Sequence, residues 1–298
     1  MQTPTVIIIV GPTAVGKTAA AIRLAQHLQT RIISADSRQC YRELNIGVAK
    51  PSPLELAAVP HYFIDSHSIN QEVNAATFEE LALQWSEEIF RDSPFVVMVG
   101  GTGLYIRAFT DGLDTIPPVD QSIRSHIRLH YEEQGLGWLQ SETQKYDPAF
   151  YASGEILNPQ RLMRALEVRM STGQSILSFQ RRQPQQRPFG IRTIGLQLPR
   201  EELHQRIHQR VDTMMENGLL DEVRSLLPYR AHNALQTVGY EELFHYLDGK
   251  TTLDAAVTAI KTNTRQYAKR QLTWFLRDLS VRWTDPDTPL ETLLPVGP

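Results

Sequence analysis

The chain has 298 residues, 41% of them hydrophobic and 21% charged, with a formal net charge of −3. That is enough apolar material for one large domain or two modest ones, and it excludes disordered, fibrous and collagen-like classes. The single cysteine, Cys40, excludes an intramolecular disulfide and a multi-cysteine zinc site, and the total charge by itself argues against a nucleic-acid partner.

No uninterrupted apolar run is longer than Val6 to Val10, far short of the roughly 20 residues that a membrane span needs. No basic-then-apolar leader opens the sequence, so a cytoplasmic protein without a membrane partner is expected. Val6 to Val10 is a β-branched run that stops at Gly11-Pro12 and is followed by the helix-forming stretch Ala19 to Leu28, which reads as strand, glycine loop, helix. Ile32-Ile33 predicts a second strand leading into Ser34-Ala35-Asp36-Ser37, and Phe95 to Val99 a third leading into Gly100-Gly101-Thr102-Gly103. Between them, Phe78, Leu81, Ala82, Trp85 and Ile89 have the spacing of a crossover helix. In an open parallel sheet the carboxyl edge is where ligands bind, so these three strands aim polar loops at one site.

Residues 113–189 lack β-branched runs, and Ile123 to Tyr131 and Gln160 to Met170 have helical periodicity, which predicts a helical insertion between core segments 1–112 and 190–298. Pro117-Pro118 and the polar stretch Gln180 to Pro188 mark its borders. A fourth strand is expected over Arg192 to Leu198, then helices at 201–217, 219–227, 240–247 and 253–279, and a loosely ordered tail from Asp285. The fold class is therefore α/β, a P-loop NTPase-like parallel sheet core carrying a helical insertion domain.

Gly11-Pro12-Thr13-Ala14-Val15-Gly16-Lys17-Thr18 satisfies G-x-x-x-x-G-K-[ST] at every fixed position, between a strand and a helix. The backbone N–H groups of such a loop cradle phosphate oxygens, its lysine neutralises them, and Thr18 would offer a hydroxyl to Mg²⁺. Motor ATPases and GTPases also hold Mg²⁺ with an acid ending a buried strand. Here Phe95 to Val99 runs into Gly100-Gly101-Thr102 with no acid, and no Asn-Lys-x-Asp guanine-reading motif is present. A small-molecule or nucleotide kinase, or another transfer from a diphosphate, is favoured over those two classes. Asp36 is the one carboxylate at a strand end near the loop; it is either a turn acid or a general base. Arg38 and Gln39 beside it suit a base edge or a phosphate.

Eight motifs together resemble the bacterial tRNA dimethylallyltransferase (tRNA isopentenyltransferase) family: GPTAVGKT at 11–18, SADSRQ at 34–39, AKP at 49–51, GGTGLY at 100–105, NPQRLMRALEV at 158–168, RTIGL at 192–196, VGYEE at 238–242 and NTRQYAKRQLTWF at 263–275. The resemblance implies transfer of a dimethylallyl group from dimethylallyl diphosphate to the exocyclic amine of the adenosine just 3′ of the anticodon, with diphosphate released. It also implies that the P-loop holds the diphosphate of the prenyl donor, with Mg²⁺. Asp36 would accept the amine proton, Thr102 would help position adenine, and Lys17, Thr18 and Arg210 would stabilise the leaving group. An adenylate isopentenyltransferase is the nearest alternative. Tyr62, Val48 and Leu276 stand where the family more often has His, Thr and a Trp-Phe-Arg continuation.

The net charge conceals two basic segments. Residues 156–192 carry Arg161, Arg164, Arg169, Arg181, Arg182, Arg187 and Arg192 against Glu167 alone, and residues 261–282 carry Lys261, Arg265, Lys269, Arg270, Arg277 and Arg282 against Asp278. Tyr267, Trp274 and Phe275 interleave with the second, as stacking platforms for splayed bases or as core. The expected tRNA contacts are Asp36, Ser37, Arg38, Gln39, Thr102, Arg124, Gln160, Arg161, Leu162, Met163, Arg164, Lys269 and Arg270, made with the anticodon loop by a monomeric protein.

Overall fold

A computed structural model of the chain describes residues 3–154, 156–180 and 183–293. Arg181 and Arg182 of the first basic segment lie outside the described residues, as do 294–298 of the tail. The chain divides into two compact units, Met1–Asp111 with Gln186–Pro298, and Gly112–Gln185.

The first unit is built on a six-stranded parallel sheet: β1 (Thr5–Val10), β2 (Ile32–Ala35), β3 (His61–Tyr62), β4 (Phe95–Gly100), β5 (Gly190–Leu196) and β6 (Arg282–Thr284), in the order β3-β2-β4-β1-β5-β6. Central β1 is apolar and buried from Val6 to Val10 because its neighbours β4 and β5 cover its edges and packed side chains cover both faces. Ile7 and Ile9 join a cluster with Ala20, Ala21 and Leu24 of α1 (Lys17–His27) and with Leu203 and Ile207. After α2 (Pro53–Ala58), which starts on a Ser52–Glu55 capping box, come α3 (Ala75–Phe90) and α4 (Gly103–Asp111). They carry Phe78 and Tyr105, stacked 4.7 Å apart, with Phe63 edge-on to Phe78 at 5.1 Å.

The second unit consists of α5 (Gln121–Tyr146), broken at Gly135 where φ is +73°, α6 (Pro148–Ser153) and α7 (Pro159–Thr172). Its own core joins Ile127, Leu139, Phe150, Leu162, Ala165, Leu166 and Val168.

The chain returns to the first unit for β5 and then forms α8 (Arg200–Glu216), α9 (Leu219–Ser225), α10 (Tyr240–Leu247) and α11 (Leu253–Phe275). Three details differ from the sequence reading. Residues 186–189 belong to the sheet unit: Arg187 donates to the Phe109 and Ala108 carbonyls and to Glu79, and Phe189 stacks on Phe109. The strands β3 and β6 were too short to register as apolar runs. The tail is packed as far as residue 293, with Leu290 buried in the sheet core and the Pro286 carbonyl accepting from Arg23.

Candidate active site

The chain leaves β1 toward β2 on one side of the sheet and returns to β5 on the other, so the residues after β1 sit at the switch point of strand order. There the phosphate loop turns with φ of +144° at Gly11, +66° at Ala14 and +99° at Gly16, and Gly16 caps α1. Lys17 Nζ donates to the carbonyl oxygens of Gly11 (3.0 Å) and Pro12 (2.7 Å). Burial, reinforced by the nearby Arg210 guanidinium and opposed by Asp36, lowers its pKa to about 7. Arg210, on α8, donates to the Thr13 hydroxyl at 3.2 Å, and burial lowers its pKa too.

Asp36 follows β2 directly. Its Oδ1 accepts from the backbone N–H of Arg38 (2.8 Å) and Gln39 (3.3 Å), the geometry of an Asx-turn, while Oδ2 takes no hydrogen bond among the described residues. The Thr102 hydroxyl accepts from Ser37 N at 3.1 Å and lies 3.4 Å from Ser37 Oγ, so the glycine-threonine turn after β4 is fastened to the turn that carries Asp36.

A cavity of about 310 Å³ opens between these elements, and Lys17, Thr18, Asp36 and Arg210 line it together. Its apolar wall is made by Val48, Val211, Met214, Leu219, Val238 and Ile260. Helix α11 adds a stripe at helical spacing, Ile260, Thr264, Tyr267 and Gln271. Gln271 is the residue that motif reading passed over: Oε1 accepts from Thr13 N at 2.8 Å and Nε2 donates to Gly101 O at 3.0 Å. A Cβ at Gly101 would collide with that Nε2, which is why the turn needs glycine there. The signal was present in the spacing 260, 264, 267, 271, but nothing in the sequence says which face of α11 meets the loops.

Other expected contact residues have different placements. The Gln39 amide is committed internally, donating to the carbonyls of Val48 (3.2 Å) and Ala49 (2.9 Å) and accepting from Ser34 Oγ. Arg38 lines the cavity and donates to Asn233 Oδ1 and Gln236 O. Leu162 is fully buried in the core of the insertion, so its side chain packs rather than meeting a surface partner. On the same helix Gln160 and Arg161 are exposed. Arg164 and Arg124 each pair with the buried Glu167 carboxylate, at 3.3 and 3.4 Å. Lys269 and Arg270 are exposed, with the Arg270 guanidinium 5.8 Å from the centre of the Tyr267 ring. Phe275 is core and Trp274 covers Gly103; Arg187 is buried in its ion pair with Glu79.

Strand order, phosphate loop and the cavity at its mouth define a protein of the P-loop class with a helical insertion. The family model described as IPP transferase matches residues 39–278. The chain is 48% identical over 279 residues to a tRNA dimethylallyltransferase of Christiangramia forsetii, covering 94% of this chain and 92% of that one. It is 46% identical over 290 residues to tRNA dimethylallyltransferase 1 of Bacteroides thetaiotaomicron, covering 97% and 94%. Its fold is similar to the full-length tRNA isopentenylpyrophosphate transferase of Bacillus halodurans, with a TM-score of 0.71 and 37% identity over 97% of this chain and 93% of that one. It is also similar to a eukaryotic dimethylallyltransferase acting on tRNA, with a TM-score of 0.79 and 26% identity over 98% of this chain and 77% of that one. The chain belongs to the IPP transferase family, the tRNA dimethylallyltransferases.

Proposed function

We propose that the protein transfers a dimethylallyl group from dimethylallyl diphosphate to the exocyclic amine of the adenosine immediately 3′ of the anticodon in tRNA, releasing diphosphate. The observation that carries this reading is a single cavity in which the phosphate-loop cation Lys17, the Arg210 guanidinium, a carboxylate and an apolar wall face one another, while β4 ends without an acid. Lys17, Arg210 and the loop N–H groups hold the diphosphate, and their fixed charge is worth most as the allylic C–O bond breaks and negative charge builds on the leaving oxygens. The apolar wall accepts the five-carbon branched chain. Asp36, held in its turn through Oδ1, uses the uncommitted Oδ2 to take the amine proton as the C–N bond forms. Ser37 and Thr102 offer hydroxyls to the edge of the adenine.

Mg²⁺ fits the donors in the cavity. Thr18 supplies a hard hydroxyl oxygen beside the loop, and no cluster of three or more His, Cys, Asp or Glu side chains among the described residues forms an all-protein cage. A metal held by Thr18 and the diphosphate itself matches the preference of Mg²⁺ for few protein ligands, and when bound it adds positive charge at the leaving oxygens.

No helix among the described residues is long and apolar enough to cross a membrane. We place the reaction in the cytoplasm, on a monomer, with Arg38, Lys269 and Arg270 as tRNA contacts of the sheet unit and, separately, Arg161, Arg164 and Arg124 as those of the insertion. A base modified on its amine must leave its stack, and such contacts offset that cost of a few kcal/mol. The direct test is to incubate the protein with dimethylallyl diphosphate and unmodified tRNA and to analyse the nucleosides by mass. A dimethylallyl-adenosine is expected; its absence, with prenylation of free AMP or ADP formation from ATP instead, would reject the reading.

A further inference from the structure

The segment from Asn45 to Pro51 is a partition. Gly47 and Val48 line the inner cavity, Asn45, Ile46 and Lys50 line a larger groove of about 840 Å³, and Ala49 and Pro51 line both. The groove is rimmed by the exposed residues Ser52, Pro53, Gln209 and Asn217, and the 45–51 segment, with Ala14, Arg210 and Met214 that also line both, separates the inner cavity from it.

An isolated loop would be a poor barrier, and this one is fastened on two sides. From the inside, Gln39 Nε2 holds the carbonyls of Val48 and Ala49. From the outside, the Glu222 carboxylate on α9 accepts three consecutive backbone N–H groups, from Asn45 (3.1 Å), Ile46 (2.8 Å) and Gly47 (3.0 Å). Its Oε1 also accepts from the hydroxyl of Tyr240 at 2.6 Å. Tyr240 is fully buried on α10, and its ring lies against Gly47, where a Cβ would come within 2.5 Å of it. Burial and the Glu222 carboxylate both push the Tyr240 pKa up, so the phenol stays protonated and remains a donor. Neither side chain lines the inner cavity.

We propose that Glu222 and Tyr240 are positioning residues that keep the 45–51 partition closed against water, so that the prenyl group is captured by the acceptor amine rather than lost to hydrolysis. The inference rests on the prenyl-transfer reading above. In both outcomes the allylic C–O bond breaks and diphosphate leaves with the electron pair. In transfer, the amine nitrogen forms the C–N bond and gives up a proton. In hydrolysis, a water oxygen forms a C–O bond and gives up a proton, yielding dimethylallyl alcohol. Excluding water is what separates the two fates.

The experiment measures diphosphate released per adenosine modified, in the presence of tRNA, for wild type, Tyr240→Phe, Glu222→Gln and Gly47→Ala, with thermal melting as the check on folding. Tyr240→Phe keeps the ring and removes only the hydroxyl. The ratio is expected to stay near one in wild type and to rise at least threefold in Tyr240→Phe and Glu222→Gln, with dimethylallyl alcohol as the extra product. A purely structural role would lower both fluxes together and leave the ratio unchanged. Folded Tyr240→Phe and Gly47→Ala proteins with the wild-type ratio overturn the inference while leaving the prenyl-transfer reading intact. A wild type that modifies no tRNA overturns both.

Discussion

Thr13 and Gln271, 258 positions apart in the chain, are joined by a 2.8 Å hydrogen bond from the phosphate-loop N–H to the side-chain carbonyl of α11. The same amide donates to Gly101 O, so one side chain sets the spacing between the phosphate loop and the turn that is fastened to the Asp36 turn. Gln271→Ala removes two hydrogen bonds of about 1 kcal/mol each, which predicts roughly a thirtyfold fall in kcat/KM for dimethylallyl diphosphate. Gly101→Ala, which displaces Gln271 Nε2, should mimic it. Steady-state kinetics at saturating tRNA checks both.

Asp36→Asn keeps the oxygen that accepts from Arg38 and Gln39 and removes the basicity. Turnover should fall by about 10²–10⁴, with the affinity for dimethylallyl diphosphate changed less than about threefold. Single-turnover kinetics and equilibrium binding separate the two effects; turnover close to wild type would remove Asp36 from proton transfer.

Donor binding should depend on pH through Lys17. With its pKa lowered to about 7 in the free protein, Lys17 is charged below that pH and contributes its full attraction to the diphosphate. Above it, binding must draw in a proton, because the bound anion favours the ammonium and raises the pKa. This contribution to affinity should weaken by up to about tenfold per pH unit above neutrality. Calorimetry at about pH 8 in buffers of different ionisation enthalpy should show proton uptake of about one, abolished in Lys17→Met.

The arginines of α7 should reveal themselves in salt dependence. Replacing Arg161 and Arg164 together with alanine removes two candidate phosphate contacts. The slope of log affinity for tRNA against log salt should flatten by about 1.5, with the KM for dimethylallyl diphosphate unchanged. Filter binding across a salt series tests this.

Arg187 is expected to matter for stability and not for tRNA. Its side chain is 8% exposed, 2.6 Å from Glu79, and hydrogen-bonded to the carbonyls of Ala108 and Phe109. Arg187→Ala strands a buried carboxylate and should cost about 3–5 kcal/mol, read as a fall in the urea midpoint.

Much of this was legible in the sequence. The phosphate loop declared itself because its motif depends on backbone and on few residue types, and Asp36 because it is the carboxylate at a strand end near that loop. The insertion showed in the lack of β-branched runs and in the helical periodicity of Ile123 to Tyr131 and Gln160 to Met170. Contacts across the chain did not show. Glu222 reads as an ordinary surface acid of an amphipathic helix until the amides of 45–47 are seen converging on it, and Gln271 reads as a polar helix residue. Arg187 and Leu162 mark the opposite failure: proximity in sequence to arginines or to a motif says nothing about which way a side chain turns.

The position of β5 has a consequence for how the protein comes into being. Ile8 at the heart of the sheet is flanked by Met98 on one side and by Thr193 on the other. Strand β1 therefore emerges from the ribosome with a bare apolar edge, and the whole insertion must follow before the strand that covers it exists. About three fifths of the chain is translated while that edge waits, so the young protein passes through a stage at which its most apolar strand is open to wrong partners. Strand β4 on the opposite edge and helix α1 on one face are the partners already available to it in the interval.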